Sequence, residues 1–368
     1  MQTALRSLSL LLALASAPAF AEPQPLGIAA AKGVQSIAYD INAAGQVAAV
    51  LEDANGRQRG VLFEKGKLIE LGSLGGQFSD TRAINARGQI VGSAQDKHQH
   101  WRAYLYQRAG GMRDLGTLGG PGSVGLAING AGHAVGFADT AAGDYHAFVY
   151  RGAGPLVDLG TLGGKISYAS GINRHGQVAG TAALPDGHRH AFVHDGARGM
   201  VDLGTLGGRS SSAAAINDAG VVVGASETAD RRWHAFVHDG KRMIDLGALV
   251  GRGASVATDI NNAGHVVGSI VSGDERLSFV WRDGKVTLHR GGKGLQLING
   301  INDAEQVIGA TYHSKLEAAT MRSNAVAAVA PQGLRKLGLT AALVLAATAS
   351  IVLLRRRYRG IVLSAPVA

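Results

Sequence analysis

The chain contains no cysteine. That excludes a disulfide framework, a thiol nucleophile, and any zinc or iron–sulfur site with sulfur ligands. Charge is scarce: 17% of residues are charged and 46% are apolar. A chain this apolar is not disordered, because burial offsets the entropy of ordering. Between the termini no segment sustains a helical period. The short signatures of hydrolases and nucleotide binders are absent too. There is no Gly-x-Ser-x-Gly, no His-Glu-x-x-His and no Walker loop. Glycine is what abounds, at 54 of 368 residues. That is about twice the usual share and points to many turns.

The formal charge of +9 is concentrated at the ends. Arg6, the apolar stretch 8–15 and Ala19-Phe20-Ala21 read as a secretory signal peptide over 1–21, with the mature chain starting at Glu22. Residues 337–354 form an uncharged run of 18 residues. As a helix it reaches ~27 Å, about one hydrocarbon core. Arg355, Arg356, Arg357 and Arg359 follow it, so the positive-inside rule keeps the tail 355–368 in the cytoplasm. The expected location is the cell membrane, single-pass, with residues 22–334 periplasmic or extracellular. Without Arg6 and the six basic residues flanking the run, 29 bases face 27 acids. The exported part is therefore near neutral, and nothing in it predicts nucleic-acid binding, which needs a basic face.

That exported part is one unit repeated seven times. Ile-Asn recurs with Asn42, Asn85, Asn129, Asn173, Asn217, Asn261 and Asn302, at intervals of 43, 44, 44, 44, 44 and 41. Leu-Gly-Thr-Leu-Gly-Gly starts at Leu115, Leu159 and Leu203, with altered copies at Leu71 and Leu246. His-Ala-Phe starts at His146, His190 and His234. Within 211–246 the pattern predicts four strands: Ala213–Ile216, Val221–Ala225, His234–His238 and Arg242–Leu246. Asn217-Asp218-Ala219-Gly220 and Asp239-Gly240 are the hairpin turns. Four strands per ~44 residues, seven times, predict an all-β fold, a seven-bladed β-propeller, in preference to a β-solenoid of shorter coils. Small residues in each first strand suit the crowded axis.

With these phrases in this order, residues 37–309 resemble the bacterial HAF-repeat extracellular proteins. The resemblance implies export and repeats, and no defined activity. The first unit has Arg59-Gly60-Val61 for His-Ala-Phe, the sixth has Leu277-Ser278-Phe279, and the seventh keeps Ile301-Asn302 and Ile308-Gly309. Degenerate end units suit ring-closing blades. Leu26-Gly27 reads as a remnant of the fourth-strand phrase, pairing with the seventh unit.

Residues repeated in every unit are read as needs of the blade. Asn in Ile-Asn is assigned to turn geometry, the glycines to a tight interblade crossing, and Glu70, Asp114, Asp158, Asp202 and Asp245 to local hydrogen bonds. His188/His190 and His98/His100 are i, i+2 pairs, but zinc needs a further ligand and supporting partners. The histidines are therefore read as structural, and no metal or cofactor is expected. The loops between second and third strands vary, and variation on a fixed scaffold is where binding is built. Trp101, Tyr145, Arg189 and Trp233 are the candidate binding residues there, because aromatic and arginine anchors carry binding energy. The resulting expectation is a membrane-anchored binding scaffold for an unknown glycan, peptide or protein. The alternatives are a propeller enzyme acting on an envelope glycan or peptide, and a purely structural envelope protein.

Overall fold

Ser-Ala-Ala-Ala-Ile-Asn-Asp-Ala-Gly forces a reversal through its Asn. The Oδ1 of Asn217 accepts the N–H of Ala219 (3.1 Å) and of Val221 (3.0 Å), and Gly220 takes φ +79°. The side chain imitates a turn of backbone and glycine supplies the left-handed residue. The strands on either side, Gly207–Ile216 and Val222–Thr228, pair antiparallel. Trp233–His238 and Met243–Asp245 complete a four-stranded meander. The first strand begins six residues earlier than its small-residue pattern predicts, because Gly207 already pairs with Thr228 while crossing from the previous blade.

The structure is a computed structural model describing residues 23–28, 34–250, 253–272, 275–290, 295, 297–312 and 316–322. The expected signal peptide, membrane run and tail lie outside the described residues. Among those described, no helix is long and apolar enough to cross a membrane. Seven four-stranded sheets follow one another, confirming the seven-bladed propeller. One feature is not foreshadowed by the repeat. The altered phrase that starts at Leu246 carries a short helix, Gly247–Val250, between the fifth and sixth blades.

The seventh sheet is built from both ends of the array. Leu297–Ile301, Gln306–Tyr312 and Leu316–Arg322 are its inner strands, and Gln24–Pro25 is its outer one. The Leu26 N–H bonds Ala318 O at 2.9 Å, as Leu115 bonds Ala103 O and Leu159 bonds Ala147 O in other blades. Leu26 thus plays the part of the first leucine of the fourth-strand phrase.

The core lies between blades. Val223, Ala235 and Val237 of the fifth blade share one cluster with Ala257, Ile260, Val266 and Phe279 of the sixth. In blades two to six an aromatic of the third strand lies opposite a glycine of the second: Gly92↔Tyr104, Gly136↔Phe148, Gly180↔Phe192, Gly224↔Phe236 and Gly268↔Phe279. A Cβ on Gly136 would stand 1.9 Å from the Val124 carbonyl oxygen. In the first blade Ala49 replaces that glycine, and its partner shrinks to Val61.

Candidate functional site

The repeated polar residues turn out to join the blades. Each Asn Nδ2 donates to the carbonyl of the equivalent Asn in the next blade: Asn42 to Asn85 at 3.0 Å, Asn129 to Asn173 at 3.0 Å, Asn217 to Asn261 at 3.2 Å. Asn302 donates back to Asn42 at 3.1 Å and closes a circle of seven bonds. The turn assignment was right and incomplete, since Oδ1 makes the turn while Nδ2 makes the ring. All seven are 3–7% exposed.

A serine forms a second bolt. The N–H of Ala191, in His-Ala-Phe, donates to Ser211 Oγ of the next blade at 2.9 Å, and Ser211 donates in turn to the Gly204 carbonyl at 2.5 Å. Ala103 with Ser123, Ala147 with Ser167 and Ala235 with Ser255 repeat the first contact, and Ala318 with Ser36 repeats it across the closure. The histidines meet the acids of the fourth strand: His146–Asp158 at 2.8 Å, His190–Asp202 at 2.8 Å and His234–Asp245 at 2.9 Å. Arg102–Asp114 and Arg59–Glu70, both 3.0 Å, take their place in earlier blades. The same acids cap the crossing, as where Gly160 N–H meets Asp158 Oδ1 at 2.8 Å. His-Ala-Phe and Asp-Leu-Gly are thereby used up in architecture. Among the described residues no group of three His, Asp or Glu side chains is arranged to hold a metal.

Trp101, Tyr145, Arg189 and Trp233 occupy one register position, the first residue of the third strand, opposite Gln95, Asp139, Ala183 and Glu227. They lie on four successive blades, and the structure does not gather them into one pocket. Trp101, Arg189 and Trp233 are partly exposed. Tyr145 is 2% exposed and packs its ring 5.4 Å from that of Phe137, in a cluster with Val124 and Tyr168. The loop that seemed to carry it ends one residue earlier, so strand pairing turns it into the core.

The axis holds a different constellation. Counted back from the repeated turn, the third residue before Asn is Tyr39, Arg82, Leu126, Ser170, Ala214, Thr258 and Asn299 in blades one to seven. Tyr39 and Arg82 are the two large polar members, and they are neighbours. The Arg82 guanidinium sits 4.5 Å from the centre of the Tyr39 ring and pairs with Asp80 at 3.0 Å. Asp80 also accepts the Ser93 N–H at 2.8 Å, while Tyr104 OH donates to its carbonyl at 2.7 Å. Side-chain exposure is 13% for Arg82 and 5% for Asp80. A buried ion pair costs more desolvation than small residues here would. Around it a pocket of about 120 Å³ opens, lined also by Gln35, Ser36, Ile37, Val50, Glu52, Gln58 and Leu316. Glu52 and Gln58 flank the turn after the second strand, so the pocket opens on the variable-loop face. Sequence reasoning missed it by reading loops alone. The one available signal was the bulk of Tyr39 and Arg82 in a column of mostly smaller residues.

Deeper along the axis stand Asp40 and Asp259, where five other blades carry Ala83, Ala127, Gly171, Ala215 and Gly300. Asp40 accepts the N–H of Ile41 (2.7 Å) and of Ile84 in the next blade (2.8 Å). Asp259 accepts those of Ile260 and Ile301, both at 2.8 Å. Burial raises Asp40 to about 6. Burial, with repulsion from Asp40 and Asp303, raises Asp259 to about 7. Every carboxylate oxygen already serves a main-chain donor. These acids tie blade to blade.

No family model matches the chain, and no curated protein matches it either. Among solved structures it is similar to the β-propeller domain of the Trilobed protease from Pyrococcus furiosus, at TM-score 0.52 and 13% identity over 78% of this chain and 93% of that one. It is also similar to the BP39L lectin from Burkholderia pseudomallei, at 0.48 and 12% over 79% and 96%. TolB from Acinetobacter baumannii scores 0.43 and 13% over 71% and 64%. At 13% identity the likeness to the first of these is one of fold alone, and that fold is a β-propeller.

Proposed function

We propose that this chain is an exported binding propeller of the HAF-repeat kind, tethered to the bacterial membrane by residues 337–354. It holds a small polar ligand, a glycan or peptide, in the pocket at the mouth of its axis. The observation that carries the reading is the Tyr39–Arg82–Asp80 group. Its Tyr39 and Arg82 are the bulkiest polar members of an inner column of mostly smaller residues, kept at the mouth at the cost of a buried charge. Trp101, Arg189 and Trp233 belong to the same face and extend the surface outward for a larger ligand.

The test is a melting-temperature screen of the full-length protein against glycans and envelope peptides, run beside Arg82→Ala and Tyr39→Ala. A ligand at 100 times its Kd adds about 2.7 kcal/mol to the folded state. A shift present in the wild type and lost in both variants supports the pocket. A shift that survives in both and disappears in Trp101→Ala or Trp233→Ala moves the site to the outer rim and overturns the assignment.

A further inference from the structure

Every hairpin of the propeller, between first and second or third and fourth strands, lies on the face opposite the pocket. The third strand of each blade runs toward that face. Leu316–Arg322 is the third strand of the seventh blade, so the described chain ends there. Fourteen residues then separate Arg322 from the apolar run that begins at Leu337.

On this face most arginines carry an acid. Arg108 pairs with Glu64, Arg198 with Asp195 at 2.8 Å and Arg282 with Glu305 at 3.0 Å. The second and third blades break the pattern. Where Glu64 ends the third strand of the first blade and Asp195 follows that of the fourth, Arg151 follows that of the third. Arg87 reaches over from the second blade, its Nη2 2.8 Å from where a Cβ on Gly132 would stand. Arg113, also from the second blade, lies 5.2 Å from the centre of the Tyr150 ring and donates to Gly152 O at 3.5 Å. All three are exposed, and none has an acid within ion-pair distance among the described residues. Beneath them the buried Nδ1 of His133 and the hydroxyl of Tyr150 have no hydrogen-bond partner. Burial and the charges of Arg151 and Arg87 depress the His133 pKa, so two guanidiniums crowd one imidazole with no acid to balance them.

We propose that Arg87, Arg113 and Arg151 dock the hairpin face onto an anionic lipid surface through its phosphates. The proposal rests on the tether reading above. The described chain ends at this same face, and guanidiniums pair bidentately with the phosphate oxygens that anionic headgroups present. The docked orientation turns the pocket outward, away from the bilayer.

Because the chain lacks cysteine, single labels report cleanly. Full-length Ala131→Cys, at the hairpin tip of the third blade, and Ala142→Cys, in that blade's opposite loop, are labelled with a fluorophore. Each is reconstituted into phosphatidylcholine vesicles with and without phosphatidylglycerol, and quenching by neutral acrylamide is measured. Ala131→Cys is expected to lose roughly threefold of its quenching in the anionic vesicles, and to regain it near 1 M salt, where the Debye length is ~3 Å. Ala142→Cys is expected not to change. The triple change Arg87→Gln, Arg113→Gln and Arg151→Gln, checked for an unaltered melt, abolishes the difference. Equal quenching of the hairpin label in both vesicles, or protection that survives the triple change, overturns the docking. Carbonate extraction reports the tether separately. Protein that stays embedded but shows no lipid-dependent protection refutes the docking alone, and protein washed off by carbonate refutes the tether.

Discussion

Replacing Asn129 by aspartate separates the two jobs of the repeated asparagine. Asp keeps the Oδ1 that accepts the N–H groups of Ala131 and His133, both at 3.0 Å, and Asp forms such turns as readily as Asn. It loses the Nδ2 that reaches the Asn173 carbonyl at 3.0 Å, and it sets a second acceptor against that carbonyl. Asn129 is 5% exposed, so little water enters to compensate. The Asn173 carbonyl keeps the Gly176 N–H at 3.0 Å, so the buried group left unpaired is the new carboxylate oxygen, which costs ~1–3 kcal/mol, and the lost bond itself costs ~1 kcal/mol. The expected destabilisation is therefore roughly 2–4 kcal/mol. In a domain of this size that lowers Tm by about 3–6 °C. Scanning calorimetry of the full-length protein at neutral pH, wild type against Asn129→Asp and Asn129→Ala, reads it directly. If Asn129→Asp melts within a degree or so of wild type while Asn129→Ala falls, the asparagine serves the turn alone and the ring of interblade bonds carries no weight.

Four further outcomes follow from the same geometry. Ser211→Ala strands the buried Ala191 N–H and is expected to cost ~1–3 kcal/mol, measured by denaturant titration. Gly136→Ala, with a Cβ 1.9 Å from a carbonyl oxygen, is expected to cost on the order of 3–5 kcal/mol. Gly143→Ala, which meets only a left-handed φ of +82° in open space, is expected to cost about 1 kcal/mol by the same assay. Asp40 and Asp259 hold a proton in the folded state at pH values where the unfolded chain has released it. Their contribution is thus full below the ordinary carboxylate range and is lost as pH rises through about 6 and about 7. Tm is expected to fall over that window, and Asp259→Ala, the residue three other blades carry, to flatten the upper part of the fall. An unchanged pH profile in Asp259→Ala would refute the assignment.

The fold was legible because each blade repeats its reasons. Asn-x-x-Gly at a fixed interval marks a turn whatever surrounds it, and period-two runs between such turns leave few architectures. The bonds between blades were not legible. Asn217 Nδ2 meets Asn261 O, 44 residues away, and nothing local shows that separation closing. The histidine–aspartate pairs were half visible. Both columns repeat, but only the register Phe148↔Asp158, beside His146, brings them together. Tyr145 shows where loop reading fails, since its alternation with Ala147 and Val149 along one strand puts it inside. The pocket was hidden for another reason. Tyr39 and Arg82 are 43 residues apart and become neighbours only when the ring forms.

The most direct test of the binding reading is a crystal structure of the protein with the first ligand that raises its melting temperature. The ligand is expected beside the Tyr39 ring, with a polar atom in hydrogen-bond reach of Arg82 or Asp80. A ligand seated away from the axis, with that pocket holding only water, would contradict it.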